Sequence, residues 1–216
     1  MSNKQNTENL RAIFSEYCQG VKKVYEDVQI HQKQFPEEHI ALIEKELGFQ
    51  LNDELKEWFC ILGEAKYGID GFLMGVEPYS IDEMYSEWKG WREFDADKEL
   101  NDSQYYSSYP AKKIKCRYTN PKWIPLGHTY DSNYIGVDLD PDVEGTVGQI
   151  IDFGRDQNEK TVLASSIADY LQKMVRFQDE MFVLEDEEGD YYINNEEIHA
   201  IDWAKEVLQC EENFQD

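Results

Sequence analysis

The hydrophobic positions along this chain change period, and the changes mark out its elements. From Thr7 to about Gln29, Leu10, Ile13, Phe14, Tyr17, Val21, Val24, Tyr25 and Val28 recur at steps of three and four. That spacing predicts an amphipathic helix, capped by Thr7 or Asn9. A second helix is expected from Pro36, with Glu37 and Glu38 at its positive end and Ile40, Ile43 and Leu47 on one face. Gly48 suits a left-handed stop. A third helix follows, with Asn52 as cap, Leu55, Trp58, Phe59 and Leu62 inward, and Gly63 as its end. Tyr67 to Val76, with glycines at 68, 71 and 75, reads as a short strand with turns. Ile81, Met84, Tyr85 and Trp88 align on a short helix.

The period becomes two in the middle of the chain. Ile135, Val137 and Leu139 alternate with Gly136, Asp138 and Asp140, the pattern of a half-buried strand that Pro141 ends. Asp142 to Gly148 is turn-rich, and Val147, Gln149, Ile151 and Phe153 then share one face of a second strand. Asn120-Pro121 and Ile124-Pro125 bracket Trp123 and favour an extended entry. Thr161 to Leu163 reads as a further strand. A helix follows from Ser165 or Ser166, with Ile167, Tyr170, Leu171, Met174 and Val175 as its stripe and Asp169 completing a capping box. Met181–Leu184 and Tyr191–Ile193 can pair around an acidic turn, and a last helix is expected from about Asn195 to Gln209. Between Lys89 and Lys115 no period is visible. That stretch reads as a solvated insertion or as an acidic, tyrosine-bearing contact surface.

The pieces, in order, resemble the SUKH superfamily, which includes a fungal cell-wall-assembly regulator and many bacterial immunity proteins. The resemblance runs over about residues 36 to 175. It is carried by Pro36–Gly48, Leu51–Gly63, Trp123-Ile-Pro-Leu-Gly127, Asp131–Pro141, Gly148–Phe153 and Leu163–Leu171. It implies an α+β fold, a mostly antiparallel twisted sheet flanked by helices, and a binding role instead of catalysis. Residues 1–30 are expected to pack as a helix on the body. Residues 31–178 are expected to form the SUKH-like part, with an insertion near 89–115. Residues 179–216 are expected to add a hairpin and helix to the same domain.

Composition narrows the function. The net charge is −24, from 45 acidic and 21 basic residues, which repels nucleic acid and anionic membranes and favours a basic protein partner. Cys18, Cys60, Cys116 and Cys210 are widely spaced, as expected of reduced thiols in a cytoplasmic protein. No Gly-x-Ser-x-Gly elbow or zinc-ligand cluster occurs, and no catalytic residue or cofactor is expected. Asp138 and Asp140, about 6.5–7 Å apart along one strand face, raise two chemistries. With Asp131 and His128 they could form a hard-metal site; the spacing alone also fits a glycosidase couple, which is set aside because nothing in the sequence raises one of the two carboxyls. A solvent-facing pair bonded to turn N–H groups is the simpler reading, so no metal is expected.

The first functional expectation is therefore an immunity protein that neutralises a basic toxin domain, such as a nuclease, by protein–protein binding. The alternative is a regulatory scaffold that binds a cellular protein. A third is a hydrolase using a metal on Asp131, Asp138 and Asp140. The residues expected to meet a partner are Asp95, Asp97, Tyr105, Tyr106, Asp131, Tyr134, Glu185, Asp186, Glu187 and Glu188.

Overall fold

The computed structural model describes residues 2–24, 37–62, 71–73, 75–129, 132–177, 183–185, 191–193, 198–199, 201–202 and 205. The N-terminal helix α1 spans Ser2–Val24, so it begins before Thr7 and Asn9, the expected caps, and its stripe of Leu10, Ile13, Phe14, Tyr17 and Val21 is buried. It packs on α3 (Asp53–Leu62) and α5 (Ile167–Phe177). Helix α2 (Glu37–Leu47) stops where expected: Gly48 has φ +78° and its N–H donates to Glu44 O at 3.0 Å. Asn52 caps α3, accepting Leu55 N–H at 2.8 Å. Glu44, nearly buried, fixes the α2–α3 link. It accepts Leu51 N–H at 2.7 Å and pairs with Lys56 at 2.8 Å.

Among the described residues the main sheet has six strands in the order β1-β3-β4-β5-β6-β2. They are β1 (Glu77–Pro78), β2 (Ser107–Tyr109), β3 (Trp123–His128), β4 (Asn133–Asp138), β5 (Gln149–Gly154) and β6 (Glu159–Ala164). All pairings are antiparallel except β2 with β6. The α+β architecture, helices on a mostly antiparallel sheet, is the one expected. Helix α4 (Ile81–Trp91) starts with a complete capping box between Ser80 and Glu83 and runs one turn beyond the sequence expectation. A second sheet pairs β7 (Val183–Glu185), β8 (Tyr191–Ile193) and β9 (Ile198–His199). The β7–β8 hairpin follows the sequence reading. β9 does not: Ile198 and His199 pair with Ile193 and Tyr192, where a helix was expected. A partner strand outweighs local helical spacing over so short a stretch. Gly63, residues 67–70, Ala204 and Leu208 lie outside the described residues, as does Cys210.

The central strands depart from the expected half-buried pattern. Every residue of β4 and of β5 is buried. Ile124, Leu126, Ile135, Val137 and Ile150 join the helical core, whereas Trp123, Tyr134, Ile151 and Phe153 join a second core on the opposite face. Ile114 lies in that second core and Trp91 packs against it, so the stretch read as a solvated insertion covers this face. Gly136 belongs to the covered face: a Cβ there would lie 2.5 Å from Ile124 O and 2.7 Å from Phe153 Cε1. The alternation shows which residues share a face, but not what lies over it.

Asp138 is the polar consequence. It is fully buried, not solvent-facing; its Oδ1 accepts Asp140 N–H at 2.9 Å and its Oδ2 accepts Gln149 Nε2–H at 3.0 Å. Burial raises its carboxyl to about 6, against the pull of those donors. With the folded value above the unfolded one, its stability contribution is full below about 4 and is lost as pH rises through about 6. Asp138→Asn sets an amide NH2 against Gln149 Nε2 and is expected to destabilise the chain by about 1–3 kcal/mol. The wild-type advantage in urea unfolding should widen from pH 7 to 4.5. A difference that does not change with pH would show that Asp138 is not the titrating group.

Candidate functional site

The segment after α4 is held together by its own carboxylates. A 3-10 turn, Arg92–Phe94, continues the helix, and a second, Ser103–Tyr105, precedes β2. Asp97 Oδ1 accepts the N–H groups of Glu99 and Leu100 at 2.9 and 3.0 Å, an Asx cap. Asp102 accepts Gln104 N–H at 3.1 Å. Asp95 accepts Thr119 Oγ1–H at 2.6 Å and pairs with Arg92 at 3.0 Å, while the Arg92 guanidinium lies 4.9 Å from the Trp88 ring. Acidic residues that read as free surface charge are in large part the turn chemistry of this segment.

Aromatic rings form the base beneath it. Trp91 meets Phe94 at 5.8 Å, Tyr118 at 5.3 Å and Tyr134 at 5.6 Å, and Tyr118 lies 6.1 Å from both Phe94 and Tyr106. Below Tyr106, the buried Lys160 places Nζ 4.5 Å from that ring and 5.5 Å from Trp123, and donates to Gln157 O at 2.8 Å. Burial lowers Lys160 to about 8, although Asp152 pulls it upward. The solvent side of this base presents Tyr105 at 62% exposure, Phe94 at 40% and Leu100 at 37%, beside the exposed carboxylates Glu93, Asp97 and Glu99. These positions, with the exposed Lys98 among them, form a short ridge of apolar tips and mainly negative charge over packed rings.

The structure sorts the expected contact residues. Asp97 and Tyr105 lie on the ridge and are exposed. Asp95 is only partly accessible and is committed to Thr119 and Arg92. Tyr106 is half-buried against Lys160. Tyr134 is a correction: it is 3% exposed, and its hydroxyl donates to Glu87 Oε1 at 2.6 Å. Its place in the alternation put it on a face that another segment covers. Asp131, Asp186, Glu187 and Glu188 lie outside the described residues, and Glu185 ends β7. Sequence reasoning missed Phe94 and Leu100. The signal was present, since single apolar residues inside a polar, aperiodic stretch need either a core or a contact.

Among the described residues, Asp138 and Asp140 do not form an acid couple open to a substrate. Asp138 has the raised carboxyl that a general acid needs, but no part of it is open to a substrate. Asp140 is held below the usual range by Lys115 and Asn120, against the effect of burial. Among the described residues no group of three His, Cys, Asp or Glu side chains could hold a metal. Among them, too, no helix is long and apolar enough to cross a membrane.

Residues 35–173 match the model of the SMI1/KNR4 family (SUKH-1). The chain is similar to the cell wall biosynthesis/cell cycle regulator smi1 of Schizosaccharomyces pombe, with 37% identity over 112 residues, 47% of this chain and 22% of that protein. It is 30% identical over 162 residues to the glucan synthesis regulatory protein of Neurospora crassa, covering 60% of this chain and 30% of that one. With the cell wall assembly regulator SMI1 of Saccharomyces cerevisiae it shares 25% identity over 164 residues, 62% of this chain and 32% of the relative. The match thus takes in about a third or less of each relative's length. The matched span holds the sheet, the α2–α3 hairpin, the ridge and most of α5, and the chain belongs to the SMI1/KNR4 family (SUKH-1).

Proposed function

We propose that this chain is a non-catalytic regulatory module that acts by binding a cellular protein. The observation that carries the reading is the ridge over residues 93–105. Tyr105, Phe94 and Leu100 stand exposed among carboxylates, on a base of packed rings that loses little entropy on contact. The names of the relatives, regulators of cell wall assembly and glucan synthesis, support a regulatory scaffold over toxin neutralisation. The immunity reading keeps one specific support, the net charge of −24, which suits a basic toxin domain.

Quantitative affinity capture from the native lysate, with the whole chain as bait, tests the proposal. The variant E93Q/E99Q/Y105A removes two charges and one ring at exposed positions. It should release the proteins that the wild type holds at low salt, with little change in thermal midpoint. Retention of the same proteins by both baits would end the ridge reading. A basic toxin encoded beside this chain, as the main captured species, would move the assignment to immunity.

A further inference from the structure

β2 accompanies β6 only where Ser107–Tyr109 lie opposite Glu159–Thr161. At Pro110 the chain leaves β6 and joins the 142–149 turn. Asp142 N–H donates to Lys113 O at 3.1 Å, Glu144 N–H to Lys112 O at 3.0 Å, and Gln149 Nε2–H to Lys113 O at 2.9 Å. Gly145 permits this approach, because a Cβ there would lie 2.1 Å from Lys113 O. The divergence opens a cleft of about 170 Å³ between this double loop, the outgoing end of β6 and the start of α5. Lys113, Thr146, Val162, Ser165 and Lys173 are among its walls. No described strand pairs with Val162–Ala164 on the side that β2 leaves.

The charge of this cleft runs against that of the chain. Acidic residues outnumber basic ones 45 to 21 overall, yet two lysines and one carboxylate line this space. That carboxylate, Asp169, is already engaged: its Oδ2 accepts Ser165 N–H and Oγ–H, both at 2.8 Å, and lies 3.8 Å from Lys173 Nζ. Lys173 Nζ also donates to Leu163 O at 3.2 Å. Lys113 Nζ has no ion pair or hydrogen bond with any described residue. The space is well below the roughly 300–1,000 Å³ of small-molecule sites and suits one long side chain.

We propose that this cleft is a subsite for a glutamate or aspartate side chain on an extended segment of a protein partner. The segment lies along Val162–Ala164 as an added strand, and Lys113 takes its carboxylate. A backbone edge with no described partner strand supplies the main-chain pairing, and a lysine unpaired among the described residues supplies the selectivity. The proposal does not depend on the ridge and stands on the opposite charge.

The probe is a fluorescein-labelled peptide of alternating valine and glutamate with serine ends, compared with its glutamine and lysine counterparts. Fluorescence anisotropy with the full chain should show the glutamate peptide binding at least about tenfold more tightly than the glutamine one, and weakening as salt rises. Lys113→Glu should abolish that preference without moving the thermal midpoint; if it does move it, Lys113→Met serves in its place. Amide exchange should slow within Val162–Ala164 when the glutamate peptide is present. E93Q/E99Q/Y105A should bind the peptide like the wild type, which separates this test from that of the ridge. Equal binding of the glutamate and glutamine peptides, or a glutamate preference that survives both Lys113 variants, would overturn the proposal. Binding of inorganic phosphate at Lys113 with no amide protection by the peptide would also overturn it, leaving a free-anion site.

Discussion

Lys205→Met is expected to destabilise the chain by about 3 kcal/mol, although residue 205 lies beyond the family match. Asp152 is fully buried in β5 and Lys205 Nζ pairs with its Oδ2 at 2.7 Å. The same ammonium donates to Gln157 Oε1 at 2.6 Å. The other carboxylate oxygen accepts Thr161 N–H. Burial raises the Asp152 carboxyl, and Lys205 is the largest opposing influence. Without Lys205 the carboxylate must stay charged in a dry interior or take up a proton, and both lower stability at neutral pH. Asp152→Asn with Lys205→Met should recover part of the loss, because the amide oxygen still accepts Thr161 N–H and no carboxylate is left unpaired, although the buried Lys160 loses its opposite charge. Urea unfolding of the two single variants and the double one measures the coupling. Additive losses would show that the two groups do not interact.

Phe14→Ala should cost about 4 kcal/mol, again at a residue outside the matched span. Phe14 is 1% exposed and sets its ring edge-on to Trp58 at 5.8 Å and to Phe72 at 6.2 Å. Nearby, Tyr17 donates its hydroxyl to Phe72 O at 2.6 Å, and Arg11 pairs with Glu57. The side chain thus stands where α1 closes the helical core, and truncating it leaves a cavity between rings that cannot collapse fully. Denaturant unfolding followed by tryptophan fluorescence reads the change. A loss below about 1 kcal/mol would make α1 an appendage instead of a wall of the core.

Much of the fold was legible because its elements announce themselves locally. The steps of three and four in α1 and α5, the left-handed stop at Gly48 and the cap at Asn52 each depend on a few neighbouring residues. The ridge was legible only in outline. Acidic and tyrosine residues between 89 and 115 suggested a contact surface, and Asp97 and Tyr105 are exposed there. Asp95 and Tyr106 could not be separated from them, because their burial depends on Thr119 and Lys160, which are remote in sequence.

By itself the sequence determined the family, the α2 stop at Gly48, the α3 cap at Asn52, the paired strands around residues 133–153, and a strong net acidity. Those properties follow from short-range periodicity, from backbone preferences of glycine, proline and asparagine, and from summed charge. Only the tertiary structure decided that both faces of β4 are covered, that Asp138 and Tyr134 are interior, and that Lys205 reaches Asp152. Each of these depends on a segment returning from far along the chain. A two-residue alternation records that a strand has two faces, but the partner that dries the second face is chosen by packing.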